Sequence, residues 1–184
     1  LAFLVLVGRI TYINVTKGSK YTKLVLNQKI YDSKTIPYKR GDILDRNGTK
    51  IATSERVYNV ILDVVVMTDK EEYIDPTIKV LNKCFGISEK TVREIVEEKP
   101  NSRYVILKKG IDYETAQKYN EIKNDTENYP NVKGIWLEDD YNRTYPYNTL
   151  ASDVIGFTYS GNIGAIGIES AYNDVMTGTD GREY

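Results

Sequence analysis

Two letters, Asn47-Gly48, constrain this chain more than any others in it. They divide Arg40-Gly41-Asp42-Ile43-Leu44-Asp45-Arg46 from Thr49-Lys50-Ile51-Ala52-Thr53-Ser54, and Asn-Gly is the strongest short hairpin signal because both residues tolerate the positive φ of a type I′ turn. Closing a hairpin there sets Arg46 against Thr49, Asp45 against Lys50, Leu44 against Ile51 and Ile43 against Ala52. Opposite charges then face each other, as do apolar side chains, each pair contributing about 0.2–1 kcal/mol.

The hairpin also bears on Arg40-Gly41-Asp42. An adhesion tripeptide works at the tip of an exposed loop, whereas this one leads into a strand away from the turn. Nor does the stretch read as a calcium loop: Asp42, Asp45 and Asn47 do not alternate as ligands must, and no glutamate falls in the bidentate position.

Composition removes several chemistries. With no histidine and one cysteine, Cys84, there is no Cys/His zinc site, no Ser-His-Asp or Cys-His machinery and no intrachain disulfide. Cys84 shares a helical apolar spacing with Leu81 and Phe85 and reads as a small core residue. A formal net charge of -1 supplies no basic excess for nucleic acid. No cofactor or metal is expected.

The opening run Leu1 to Val7 is apolar and charge-free up to Gly8-Arg9. A spanning helix needs about 20 such residues, so the run reads as the end of a longer hydrophobic segment, with a buried first strand or helix as the alternative. Tyr21 to Ile36 reads as an extended linker or edge strand ending at Pro37.

After the hairpin, Val57 to Val64 is rich in β-branched residues and suits a buried strand. A helix is expected from Asp75 as N-cap and Pro76 at its first position to Gly86, with Ile78, Leu81 and Phe85 on one face. A second follows Ser88, with Val92, Ile95 and Val96 inward. Tyr104 to Leu107 reads as a strand, and Asp112 caps a third helix carrying Ala116, Tyr119 and Ile122.

Extended structure returns from Gly134 through Tyr145 and closes at Pro146. Asn148 to Asp153 suits a helical turn or two before Val154-Ile155-Gly156-Phe157. A last helix is expected to place Ile168, Tyr172 and Val175 on one side and to stop at Gly178.

Other motifs are weak. Gly161-x-x-Gly164-x-x-Gly167 lacks the G-x-G start and the lysine of a phosphate cradle and reads as a loop with special backbone angles. Glu138-Asp139-Asp140 alternates between strand faces, so its carboxylates do not converge on a substrate. Four sequons, beginning at Asn14, Asn47, Asn124 and Asn142, give slight support to an independent extracellular adhesion or receptor-binding module.

Three signatures in order carry a resemblance. They are Arg40-Gly41-Asp42-Ile43-Leu44-Asp45-Arg46-Asn47-Gly48 with Ile51-Ala52; Arg143-Thr144-Tyr145-Pro146 with Ala151 to Phe157; and Gly164 to Tyr172 through Gly178-Thr179-Asp180-Gly181. The chain resembles the N-terminal non-catalytic pedestal, or dimerisation, domain of class B penicillin-binding proteins. No serine here has lysine three positions later, and no K-T-G or K-S-G occurs, so the transpeptidase motifs of that family are absent from the sequence.

The resemblance implies an α+β fold: an elongated pedestal of hairpin and linker strands with an inserted small α+β lobe. Residues 1–16 would end a membrane anchor, 17–56 and 141–184 would form the pedestal, and 57–140 the head. It implies a single-pass cell-membrane protein with this domain on the extracytoplasmic side. Its expected partners are its own C-terminal transpeptidase domain, a membrane-embedded glycosyltransferase, division or elongation proteins, and a second copy as homodimer.

The matching residues are expected to be structural. Arg40, Asp45, Arg46, Arg143 and Glu169 would form charge-assisted hydrogen bonds in one seam. Gly41, Gly48, Gly156, Gly167, Gly178 and Gly181 would supply turns and close approaches, with Asn47 in the hairpin. Tyr145-Pro146 would fix the strand exit, and Tyr172 would sit on the last helix.

Overall fold

The computed structural model describes residues 9, 34–159 and 162–183. The apolar opening, most of the expected linker and Gly161 lie outside them. Among the described residues no helix is long and apolar enough to cross a membrane. In chain order the strands are β1 (Lys34–Ile36), β2 (Ile43–Leu44), β3 (Lys50–Leu62), β4 (Val105–Ile111), β5 (Ile135–Thr144), β6 (Thr158–Tyr159), β7 (Ile163–Gly164) and β8 (Gly181–Glu183). The helices are α1 (Val64–Met67), α2 (Glu71–Phe85), α3 (Glu89–Glu98), α4 (Tyr113–Asn124), α5 (Ser152–Ile155), α6 (Gly167–Ala171) and α7 (Asn173–Met176). The fold is mixed α+β with antiparallel pairing throughout.

The chain divides into two compact units. One holds β1 and β8, which pair with Thr35 opposite Arg182. Pro37–Thr179 forms the other, and its backbone is the long β3–β5 ladder from Thr53↔Thr144 to Leu62↔Ile135. β4 pairs along the upper part of β3, and β2 pairs with its start.

One face of this ladder carries two different interiors. Near the top, Val60, Leu62 and Ile135 join Val105, Leu81, Phe85, Val92 and Tyr119 in a single apolar cluster. Burying such side chains contributes about 1.5–3 kcal/mol each. Strand side chains alternate with period two, so Ser54 and its partner Arg143 point to the same side as Leu62 and Ile135. There the interior is polar.

Several helix ends follow the sequence expectation. Ser88 and Asp112 accept hydrogen bonds from the backbone N–H of Thr91 and Thr115, and Gly86 closes α2 in the left-handed region with φ 67°. The start of α2 differs. It begins at Glu71 rather than after Asp75 and carries Pro76 inside. Pro76 forgoes one backbone hydrogen bond, while Glu71 and Glu72 sit at the positive helix end and Ile74 packs against the core.

The hairpin also differs in detail. Gly48 N–H donates to Asp45 O (3.1 Å), Asp45 N–H donates to Thr49 O (2.9 Å), and only Gly48, at φ 82°, takes a left-handed conformation. This is a three-residue loop with glycine at its left-handed position, not a type I′ turn. The one-residue difference is absorbed between Ile43 and Leu44: Ile43 keeps its expected partner Ala52, while Leu44 pairs with Lys50 and leaves Ile51 as the extra residue. Lys50 pairs with Asp42 (3.1 Å) instead of Asp45.

The expected last helix is two short ones, α6 and α7, broken at Tyr172. Of its expected apolar stripe Ile168 is half-buried while Tyr172, 57% exposed, and Val175, 82% exposed, face outward, and the buried residue is Glu169. The partners waiting inside are guanidinium groups, which favour a carboxylate over an aliphatic side chain.

Candidate functional site

Arg40, Arg143 and Glu169 come from three segments and meet in the interior, at 0%, 8% and 0% exposure. Arg40 Nε donates to Glu169 Oε2 (2.8 Å), and Arg143 Nε donates to Glu169 Oε1 (2.7 Å). Each guanidinium then ties down backbone. Arg40 Nη2 donates to Glu169 O (2.8 Å) and Arg40 Nη1 to Asn162 O (2.9 Å), while Arg143 Nη1 donates to Gly41 O (2.8 Å). Charge-assisted hydrogen bonds of this length are the strong kind.

Neutral groups complete the shell. Arg40 Nη1 also reaches Asn173 Oδ1 and Thr177 Oγ1, both at 3.0 Å. Ser54 Oγ donates to Arg40 O and accepts from Arg143 Nη1, both at 3.3 Å. Tyr145 Oη donates to Glu169 Oε1 (3.3 Å). Burial raises the Tyr145 phenol above its ordinary pKa, and the neighbouring Glu169 charge adds to the shift. Two guanidiniums against one carboxylate leave a positive excess, and Arg143 Nη2 is, among the described residues, the buried side-chain nitrogen or oxygen without a hydrogen-bond partner.

Backbone approach closes the site. Gly41 N–H donates to Met176 O (2.9 Å) and Gly164 N–H to Asn173 Oδ1 (3.0 Å). Gly156 and Gly167 both have positive φ, and a Cβ on Gly156 would collide with Ile166 O, one on Gly167 with Val154 O. Only glycine allows these two segments to touch. Gly178 lies against Tyr38.

The expected seam is thus three of five charged residues. Asp45 remains at the hairpin tip, accepting from Asn47 N–H and Thr49 N–H (both 2.8 Å), which hold its carboxyl below the usual range, Thr49 most strongly. Arg46 is exposed beside Asn47 and Gly48, Pro146 is exposed after Tyr145, and Gly181 lies in β8 of the other unit. Ser54, Asn162, Asn173 and Thr177 belong to the site without having been expected. Asn173 and Thr177 carried a signal in their four-residue spacing. Arg40-Gly41-Asp42 leads away from the hairpin tip as expected, and its arginine is fully buried against Glu169.

Nothing in this arrangement resembles a nucleophile with its base. Among the described residues no group of three or more His, Cys, Asp or Glu side chains is placed to hold a metal ion. The surface around the seam is instead apolar. Of the fifteen exposed large apolar side chains among the described residues, nine lie between Tyr147 and Val175. A cavity of about 180 Å³ opens there, lined by Ile51, Tyr147, Leu150, Ile155 and Phe157.

Comparison with known proteins gives one family. Residues 35–184 match the penicillin-binding protein dimerisation domain. The chain is 25% identical over its full length to peptidoglycan D,D-transpeptidase FtsI of Buchnera aphidicola, covering 31% of it. It is 28% identical to stage V sporulation protein D of Bacillus subtilis, with 98% of the chain and 26% of the relative aligned. The chain therefore spans about a quarter to a third of these relatives. Among solved structures, penicillin-binding protein 2X of Streptococcus thermophilus superposes with TM-score 0.61 at 26% identity, covering 82% of this chain and 24% of that one. The complex of penicillin-binding protein PBP2 with MreC from Helicobacter pylori gives TM-score 0.58 at 26% identity, covering 82% and 30%.

Proposed function

The chain belongs to the penicillin-binding protein dimerisation domain family, and from that premise we propose that it is the non-catalytic pedestal of a peptidoglycan D,D-transpeptidase. It positions the catalytic domain above the membrane and makes protein contacts during cell-wall synthesis. The parent is a single-pass membrane protein carrying this domain on the extracytoplasmic side. Residues 17–56 and 141–184 act as the pedestal and 57–140 as the head.

The observation that carries this reading is the union of a rigid polar interior with an apolar exterior in one segment. Glu169 is gripped by Arg40 and Arg143 inside, while Leu150, Phe157 and Ile166 of the same region stand at least half exposed outside. Apolar surface concentrated like this marks a seat for another protein surface. The transpeptidase domain of the same polypeptide is the occupant we assign to it. Arg40, Arg143 and Glu169 are positioning residues, setting the geometry of that seat. A protein partner of the kind that PBP2 meets in MreC is the second contact.

Fluorescent penicillin supplies the test. The longer gene product is expected to label covalently and this chain alone to remain unlabelled; labelling of this chain overturns the non-catalytic reading. Leu150→Ser with Phe157→Ser in the longer protein is expected to lower transpeptidation and thermal stability. Unchanged values in both measurements overturn the seat.

A further inference from the structure

The sheet of β3, β4 and β5 has a second face that the helices leave open. Helix side chains buried in the core share it with Val60, Leu62 and Ile135. On the opposite side Val57, Asn59 and Ile61 of β3 alternate outward with their β5 partners Asp140, Glu138 and Trp136. Ile61 is fully buried between its cross-strand neighbours Trp136 and Ile106, yet Ile106 is 39% and Tyr104 51% exposed.

This face is organised. The Tyr104 and Trp136 rings lie 6.1 Å apart at 59°, and Glu138 fastens both, accepting from Tyr104 Oη (2.7 Å) and from Trp136 Nε1 (3.0 Å). Asp140 accepts from Asn59 Nδ2 (2.8 Å) and from the Tyr141 N–H (2.8 Å). At the outward positions of β3 from 53 to 61 and of β5 from 136 to 144 the charged residues are Glu55, Glu138 and Asp140, with no lysine or arginine. An apolar aromatic end thus adjoins an anionic stripe on β3 and β5, while β4 carries exposed Lys108, whose Nζ donates to Phe85 O, and exposed Lys109.

We infer that this open face docks a cationic amphipathic helix of a protein partner. The helix sets its apolar stripe over Tyr104, Ile106, Trp136 and Val57, and its flanking lysines or arginines reach Glu55, Glu138 and Asp140. An antiparallel sheet commonly keeps a polar second face to water, and the aromatic, apolar end of this one departs from that pattern as a contact surface does. The stretch from Trp136 to Asn142 spans about 20 Å of strand, the length of a helix of about 13 residues. Aromatic side chains held in place are the residue types that dominate interface energies, and complementary charge sets orientation and partner choice. A second copy of this chain would bring the same carboxylates against themselves.

Trp136 is the sole tryptophan, so its fluorescence reads this face alone. The full chain is titrated with a tryptophan-free synthetic helix of about 18 residues, leucines on one stripe and lysines beside it, and with the same peptide carrying glutamate for lysine. The lysine peptide is expected to shift Trp136 emission saturably, and the glutamate peptide to bind about tenfold more weakly or worse. Glu55→Gln with Asp140→Asn, and separately Ile106→Ser, are each expected to weaken the lysine peptide about tenfold in chains whose circular dichroism matches the parent. Equal binding of both peptides, binding of neither, or binding that survives both sets of substitutions overturns the inference. A concentration-dependent dimer abolished by Ile106→Ser overturns it in favour of a second copy. The inference stands apart from the transpeptidase seat, since penicillin labelling and the Leu150 and Phe157 substitutions do not touch this face.

Discussion

Arg40 and Arg143 bind opposite oxygens of one buried carboxylate, Glu169, although they stand 129 and 26 residues from it in the sequence. Removing the carboxylate leaves two guanidiniums buried together without a counter-charge. Glu169→Ala is therefore expected to cost about 3–5 kcal/mol in urea unfolding. Combining it with Arg143→Ala is expected to lose less than the two single losses summed, with a coupling of about 0.5–3 kcal/mol. Additive losses would show that the two side chains do not act as a pair.

The hairpin loop makes a sharper claim about Asn47 than the dipeptide rule does. Only Gly48 has positive φ, so Gly48→Ala is expected to cost about 1–2 kcal/mol. Asn47→Ala is expected to stay within about 0.5 kcal/mol. Equal losses in a thermal melt would return the loop to type I′.

Gly156 and Gly167 stand at positive φ where their backbones touch. Alanine at either is expected to cost at least about 1–2 kcal/mol from the dihedral angle alone, and more from collision with Ile166 O or Val154 O. A neutral Gly167→Ala chain by denaturant midpoint would rule out this close approach.

Tyr104 links stability to alkaline pH. Burial first, then its hydrogen bond to Glu138, pushes the phenol up to about 12. The folded chain therefore holds this proton where the unfolded chain, near 10, has released it. The contribution is complete below pH 10 and lost between about pH 10 and 12. Comparing urea midpoints of the parent and Tyr104→Phe chains across that window checks the sign: the difference should change there and be flat below it.

Much of the stretch from 57 to 140 was legible because its signals are local. Ser88, Asp112 and Gly86 cap helices through hydrogen bonds spanning a few residues, and Ile78, Leu81 and Phe85 repeat at helical spacing. The start of α2 was not, because Pro76 can open a helix and can also be tolerated within one when Ile74 has a core to pack against. The final segment was misread for a related reason. Its apolar residues do repeat, but Tyr172 and Val175 face outward, and periodicity does not say which side of a segment is occupied.

By itself the sequence determined the mixed α+β class, the strand from Val57 to Leu62 that forms the second half of β3 though not the helix that begins at Val64, the starts of α3 and α4, and the family signatures around Arg40, Arg143 and Glu169. It could not decide which charges of those signatures would meet. Asp45 and Glu169 are equally acidic on paper, but Asp45 Oδ1 accepts from backbone N–H groups two and four residues away. Glu169 has no such local donors among its recorded partners and is satisfied by Arg40 and Arg143. A buried charge persists only where distant chain brings a partner to it, and that meeting belongs to the tertiary structure.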